Sequence, residues 1–89
     1  MYMVITMNID RPDGVKIGAS FVEKIKDGIN LLSFINKITR GRPADIFTFD
    51  KKSEAESFAE FERRRFKQCG KYEIVEENKM YTVSEHNPA

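Results

Sequence analysis

The sequence is poor in the side chains that carry most catalytic and metal chemistry. Its 89 residues include one histidine, one cysteine and no tryptophan. One histidine and one cysteine cannot build a zinc site, and the five glycines are too scattered to form a phosphate-binding loop. His86 lies near the C-terminus, where a catalytic base is rarely held rigidly. We therefore expect no catalytic residue, no metal and no cofactor, and predict that the protein is not an enzyme.

The lone cysteine and the lack of long apolar runs also bear on location. Cys69 has no partner for an internal disulfide, which favours a reducing compartment. No basic stretch followed by an apolar run opens the chain, so we expect no secretory signal. No apolar stretch approaches the roughly 18 residues needed to span a bilayer. These absences predict a cytoplasmic protein without a membrane partner.

What the chain does contain is typical of a globular domain with an uneven distribution of charge. Hydrophobic residues make up 40% and charged residues 33%, and the formal net charge is +1. Residues 37–71 carry ten Lys and Arg against six Asp and Glu, a net charge of +4. Residues 72–89 carry one base against four acids, a net charge of −3. The middle of the chain is therefore basic and the end acidic.

The first half of the sequence predicts a hairpin and a helix. Residues 2–9 are rich in β-branched and aromatic side chains and predict a strand. The turn Arg11-Pro12-Asp13-Gly14 leads into a short strand over residues 15–17. Ser20 and Glu23 fit a capping box that would open a helix ending near residue 38. Alternatively, the second strand continues to about residue 25 and the helix begins at Asp27.

The second half predicts a strand over residues 44–49 and a helix from a Ser53–Glu56 capping box to about Cys69. Strands over residues 72–76 and 80–83 follow. The order β(β)αβαββ predicts an α+β fold, a two-layer α/β sandwich with a mixed sheet and both helices on one face. We expect one domain over residues 1–84 and a frayed tail over residues 85–89.

The second helix carries the most informative residues. Glu62 falls at about 340° on the helical wheel, inside the apolar stripe, so it needs a partner such as Arg65 or an interface. Cys69 follows the same stripe, and we expect it to be buried. Phe61 falls at about 240°, off the stripe, where it either packs under a loop or anchors a partner. Arg63, Arg64 and Lys67 are predicted to face solvent, as a self-paired charged face or as a docking site.

A second basic element follows the first helix. The segment Arg40-Gly41-Arg42-Pro43 resembles the core of an AT-hook, which lays its arginines into the minor groove of A·T-rich DNA. Glycine followed by proline is also the usual way to end a helix.

These observations favour a small non-catalytic module, a regulator or inhibitor, that docks on a larger protein. Compact chains of this size are common among phage and mobile-element regulators, an analogy that rests on size alone. The residues expected to contact the partner are Phe61, Arg63, Arg64, Arg65 and Lys67. The alternative is a nucleic-acid-binding protein that uses Arg40, Arg42, Lys51, Lys52, Arg63, Arg64 and Lys67. A homodimer through exposed strand edges, such as that of the C-terminal hairpin, is a further possibility.

Overall fold

The computed structural model describes residues 1–75 of the chain. Its elements are β1 (Tyr2–Asp10), β2 (Lys16–Lys24), α1 (Leu31–Thr39), β3 (Ala44–Phe49), α2 (Lys52–Cys69) and β4 (Tyr72–Val75). The predicted strand over residues 80–83, the tail over residues 85–89 and His86 lie outside the described residues.

The four strands form one mixed sheet in the order β3-β1-β2-β4. The central strand β1 pairs antiparallel with both β2 and β3, and β2 pairs parallel with β4. The turn between β1 and β2 is closed by two main-chain hydrogen bonds, in which Arg11 N–H donates to Val15 and Gly14 N–H donates to Arg11. The structure confirms the α+β class, the mixed sheet and the two helices.

The placement of the helices differs from the predicted one, in which both lie on one face of the sheet. Ile38 of α1 packs with Met3, Ile5 and Met7, the odd-numbered residues of β1. Ala55 and Ala59 of α2 pack with Val4. Alternate residues of a strand point to opposite faces, so the two helices cover opposite faces of the sheet.

Strand order gives the physical reason for this arrangement. Strands β2, β3 and β4 all run in the same direction. The connection through α1 crosses from β2 to the β3 edge, and the connection through α2 crosses back to the β4 edge. Such crossovers are almost always right-handed. Two right-handed crossovers that run in opposite directions place their helices on opposite faces.

The predicted start of the first helix is wrong. Residues 16–24 form strand β2, and α1 begins at Leu31. Ser20 caps no helix: its side chain is buried and lies 3.1 Å, oxygen to oxygen, from the Thr6 hydroxyl. The cap belongs to Asn30, whose Oδ1 accepts the Ser33 N–H at 3.1 Å. The alternative, in which the strand extends to about residue 25, was the closer prediction.

The long helix α2 ends as predicted and begins slightly earlier than predicted. Gly70 terminates it in the left-handed conformation, at φ 69°, where glycine carries no Cβ penalty. Its N-cap is Lys51, which makes no side-chain capping bond, so Ser53 lies inside the first turn and the predicted capping box does not form.

Small residues let α2 approach the sheet closely. Ala55 and Ala59 are fully buried beneath the helix. A Cβ atom added at Gly18 of β2 would lie 2.5 Å from Cγ of the Phe66 ring. Phe66 therefore occupies the volume that any side chain at position 18 would need.

This close approach predicts a steric cost for Gly18→Ala. We expect a loss of about 1–3 kcal/mol in the free energy of unfolding, because the new methyl group forces Phe66 or the helix to shift. Urea unfolding followed by circular dichroism measures it. In a Phe66→Leu background the same substitution should cost clearly less. An equal cost in both backgrounds would contradict the contact.

Candidate functional site

An exposed aromatic surface lies between α2 and the edge strand β3. We define it as Phe47, Phe58 and Phe61. The Phe58 ring lies 4.5 Å, centroid to centroid, from Phe47 and 6.1 Å from Phe61. Phe61 is 59% exposed, and Phe47 is also exposed. Of the two predicted positions for Phe61, the structure shows the exposed one.

The aromatic surface is anchored in the core by its central ring. Phe58 is half-buried and lies 5.4 Å, centroid to centroid, from Phe49. Phe49 and Phe58 both pack against the cluster around Val4. Tilted aromatic pairs of this kind stabilise beyond the area they bury. The outer rings thus contact a ring that packs against the core.

The sequence could have predicted part of this surface. Phe47 and Phe49 are two positions apart on one strand, so they share a face. The sequence does not indicate a role for Phe47, because that role depends on which face of the sheet α2 covers. Strand order determines this face, and no local pattern contains it.

Glu62 and Arg65 form the ion pair that the helical wheel indicated. The Glu62 carboxylate is buried, and its Oε2 accepts a hydrogen bond from Arg65 Nη2 at 2.6 Å. The Arg65 side chain is nevertheless 58% exposed. The pair satisfies the buried carboxylate and fixes one end of the Arg65 guanidinium.

The prediction that Arg63 faces solvent is wrong. Its side chain is 17% exposed, and its Nη2 donates a hydrogen bond of 2.7 Å to the main-chain oxygen of Ser20. Arg63 therefore ties α2 to β2. The helical wheel missed this because a long side chain at the flank of a helix can bury its stem along the sheet.

Arg64 and Lys67 lie on the outside of α2. The Arg64 side chain is 72% exposed, and its Nε lies 3.5 Å from Glu60 Oε1. Lys67 is exposed in the last turn. Cys69 is also exposed, so the prediction of a buried thiol is wrong. Cys69 is the last residue of α2 and lines an open cleft together with Phe66 and Tyr72.

The segment from Arg40 to Pro43 is a structured helix stop. Arg40 and Gly41 both adopt the left-handed conformation, at φ 58° and 76°. The Arg40 N–H donates to Asn36 O at 2.8 Å, and the Arg42 N–H donates to Thr39 O at 3.0 Å. This geometry matches the helix-terminating interpretation of the motif.

The residues of the predicted nucleic-acid surface lie at separate places. Arg40 and Arg42 precede β3, whereas Lys51 and Lys52 follow it. The six residues of β3 place these pairs roughly 20 Å apart. Lys52 lies 3.7 Å from Glu56, measured from Nζ to Oε1. These two pairs therefore do not share one patch.

A small cleft lies between the second half of α2 and the start of β3. It has a volume of about 180 Å³ and is lined by polar groups of Thr6, Asn8, Asp45 and Arg65, among others. Ligand pockets typically measure about 300–1,000 Å³, so the cleft carries no argument for a small-molecule site.

Two further findings concern the described part of the chain. Within residues 1–75, no group of three His, Cys, Asp or Glu side chains is placed to hold a metal ion. Neither described helix has both the length and the apolar character that crossing a bilayer requires.

Comparison of the chain with protein-family models, curated proteins and solved structures finds no match. The functional argument therefore rests on the chemistry of the residues themselves.

The different surroundings of Arg63 and Arg64 give a matched test of their roles. Arg63→Ala should lower the free energy of unfolding by about 1–3 kcal/mol, because the Ser20 carbonyl loses a charge-assisted bond and packed methylenes are removed. Arg64→Ala should stay within about 0.5 kcal/mol of the parent. Urea denaturation measures both. Equal effects of the two substitutions would argue against a structural role for Arg63.

Proposed function

We propose that this protein is a small non-catalytic regulator or inhibitor that docks on a larger protein through the aromatic surface. The observation that carries the proposal is the exposure of Phe61 next to the half-buried ring of Phe58. Aromatic side chains and arginine are enriched at protein interfaces. Burying one phenylalanine ring contributes about 1.5–3 kcal/mol.

The surface is suited to binding because it is ordered before the partner arrives. Phe58 is held between Phe47 and Phe49. Arg65 is held by Glu62. Side chains fixed in advance lose little conformational entropy on binding, so more of the contact energy becomes affinity.

The chemistry of the site suggests the kind of surface that a partner would present. Phe61 requires an apolar pocket, and Arg64 and Arg65 lie three and four positions further along the same helix, largely exposed. We expect a protein surface with an apolar depression bordered by carboxylates on the arginine side. Among the predicted contact residues, Arg63 instead binds the main chain of β2 and supports α2. Lys67 lies in the last turn of α2, beyond Arg64 and Arg65.

A cytoplasmic location belongs to the same proposal. The exposed thiol of Cys69 is compatible with a reducing compartment, in which an accessible cysteine stays reduced.

Phe61→Ala tests the docking surface, with Leu32→Ala as its matched control. Leu32 is an apolar residue of α1 that is 71% exposed, and α1 lies on the opposite face of the sheet. The tagged protein is incubated with nuclease-treated lysate of the native host, and a captured protein is purified for calorimetry. We expect Phe61→Ala to weaken binding by roughly 10- to 100-fold and Leu32→Ala to leave it unchanged.

Two outcomes would contradict the proposal. Equal binding by the parent and Phe61→Ala would exclude this surface. Loss of every partner after nuclease treatment would favour the nucleic-acid alternative. In that case binding should weaken steeply with salt and disappear in Arg40→Glu/Arg42→Glu.

A further inference from the structure

One flank of α2 carries a stripe whose order is self-complementary. Glu54, Phe58, Phe61 and Arg65 are separated by four, three and four positions. On a helical wheel they fall within about 60° of one another, facing the β3 side. This alternation of four and three is the spacing with which one helix packs along another.

Read in the opposite direction, the stripe has the same spacing and the same two central rings, but Arg65 takes the place of Glu54 and Glu54 that of Arg65. In an antiparallel pair of α2 helices, Glu54 of one copy lies opposite Arg65 of the other, and Phe58 lies opposite Phe61. Both contacts occur twice about a twofold axis that passes between residues 59 and 60. An interface between identical chains needs this property, because each contact must be made in both directions.

The side chains of the stripe are placed for such a contact. Glu54 is exposed in the first turn of α2. Arg65 donates through one Nη to Glu62, and its guanidinium carries further donors that point in other directions. Phe61 and Phe47 are the exposed rings that the second copy would cover. Antiparallel helices also align their dipoles favourably.

We propose that a second copy of this chain covers the aromatic surface through antiparallel contact of the two α2 helices. The inference rests on the proposed function, because the second copy and the larger partner would compete for the same aromatic surface. Self-association masks Phe61 until a larger partner displaces the second copy. The contact area of one helix flank makes the dimer weak and dependent on concentration.

Sedimentation velocity of the full chain over a concentration series tests the dimer. The parent and Leu32→Ala should show the same monomer–dimer equilibrium, and Phe61→Ala should remain monomeric. Glu54→Arg should weaken dimerisation about tenfold or more, because two attractive pairs become repulsive. Combining it with Arg65→Glu should restore the dimer, since the pairs re-form with exchanged signs.

The exchange needs a safeguard, because Arg65→Glu places a second carboxylate beside the buried Glu62. The triple variant Glu54→Arg/Glu62→Gln/Arg65→Glu removes that repulsion, and circular dichroism checks its fold. Recovery of the dimer in the double or the triple variant supports the antiparallel register. A folded triple variant that does not dimerise overturns it.

Failure of this inference is distinguishable from failure of the proposed function. A parent protein that stays monomeric at every concentration overturns self-association, while partner binding that depends on Phe61 stands. A dimer that Phe61→Ala leaves intact likewise overturns the inference. Because Glu54→Arg weakens self-association, it should also raise the affinity for a larger partner that competes with the second copy. An unchanged affinity for that partner would contradict the masking role.

Discussion

The ring of Phe66 lies in the volume that a side chain at position 18 would occupy, and this contact sets how α2 rests on the sheet. With Phe66, Ala59 and Ala55 turned inward, the rotation of the helix about its own axis is fixed. One flank then faces β2, where Arg63 reaches a main-chain oxygen. The other flank faces β3 and presents the aromatic surface. Both the structural role of Arg63 and the exposure of Phe61 therefore follow from the close approach of Phe66 to Gly18.

The two flanks of α2 divide the basic run of residues 63–65 into different roles. Adjacent positions on a helix are separated by about 100°, so three consecutive arginines meet three environments. Arg63 is nearly buried against the sheet, Arg64 lies outermost, and Arg65 is held by a buried carboxylate. A count of charges treats these residues as one patch, whereas the sheet beneath them determines which can reach a partner.

How far the sequence predicts this fold depends on whether the signal is local. The turn at Gly14, the end of α2 at Gly70 and the strand over residues 44–49 were predicted correctly, because each is determined by neighbouring residues. The Glu62–Arg65 pair was predicted for the same reason. The start of α1 was not, since Ser20 and Glu23 imitate a helix cap while the alternation of Ile17, Ala19 and Phe21 belongs to a strand. The faces occupied by the helices depend on strand order, which no local pattern contains.

The difference between local signals and strand order also explains why the sequence predicts only part of the candidate site. Phe61 could be identified as lying off the apolar stripe, but its exposure depends on what β3 places beside it. Phe47 and Phe49 of β3 contact Phe58 on its sheet-facing side. They do not bury Phe61, which remains exposed. A sheet edge next to a helix flank thus turns an ordinary amphipathic helix into a surface with an apolar centre. The opposite charges at its two ends, Glu54 and Arg65, are the basis of the antiparallel contact that we propose.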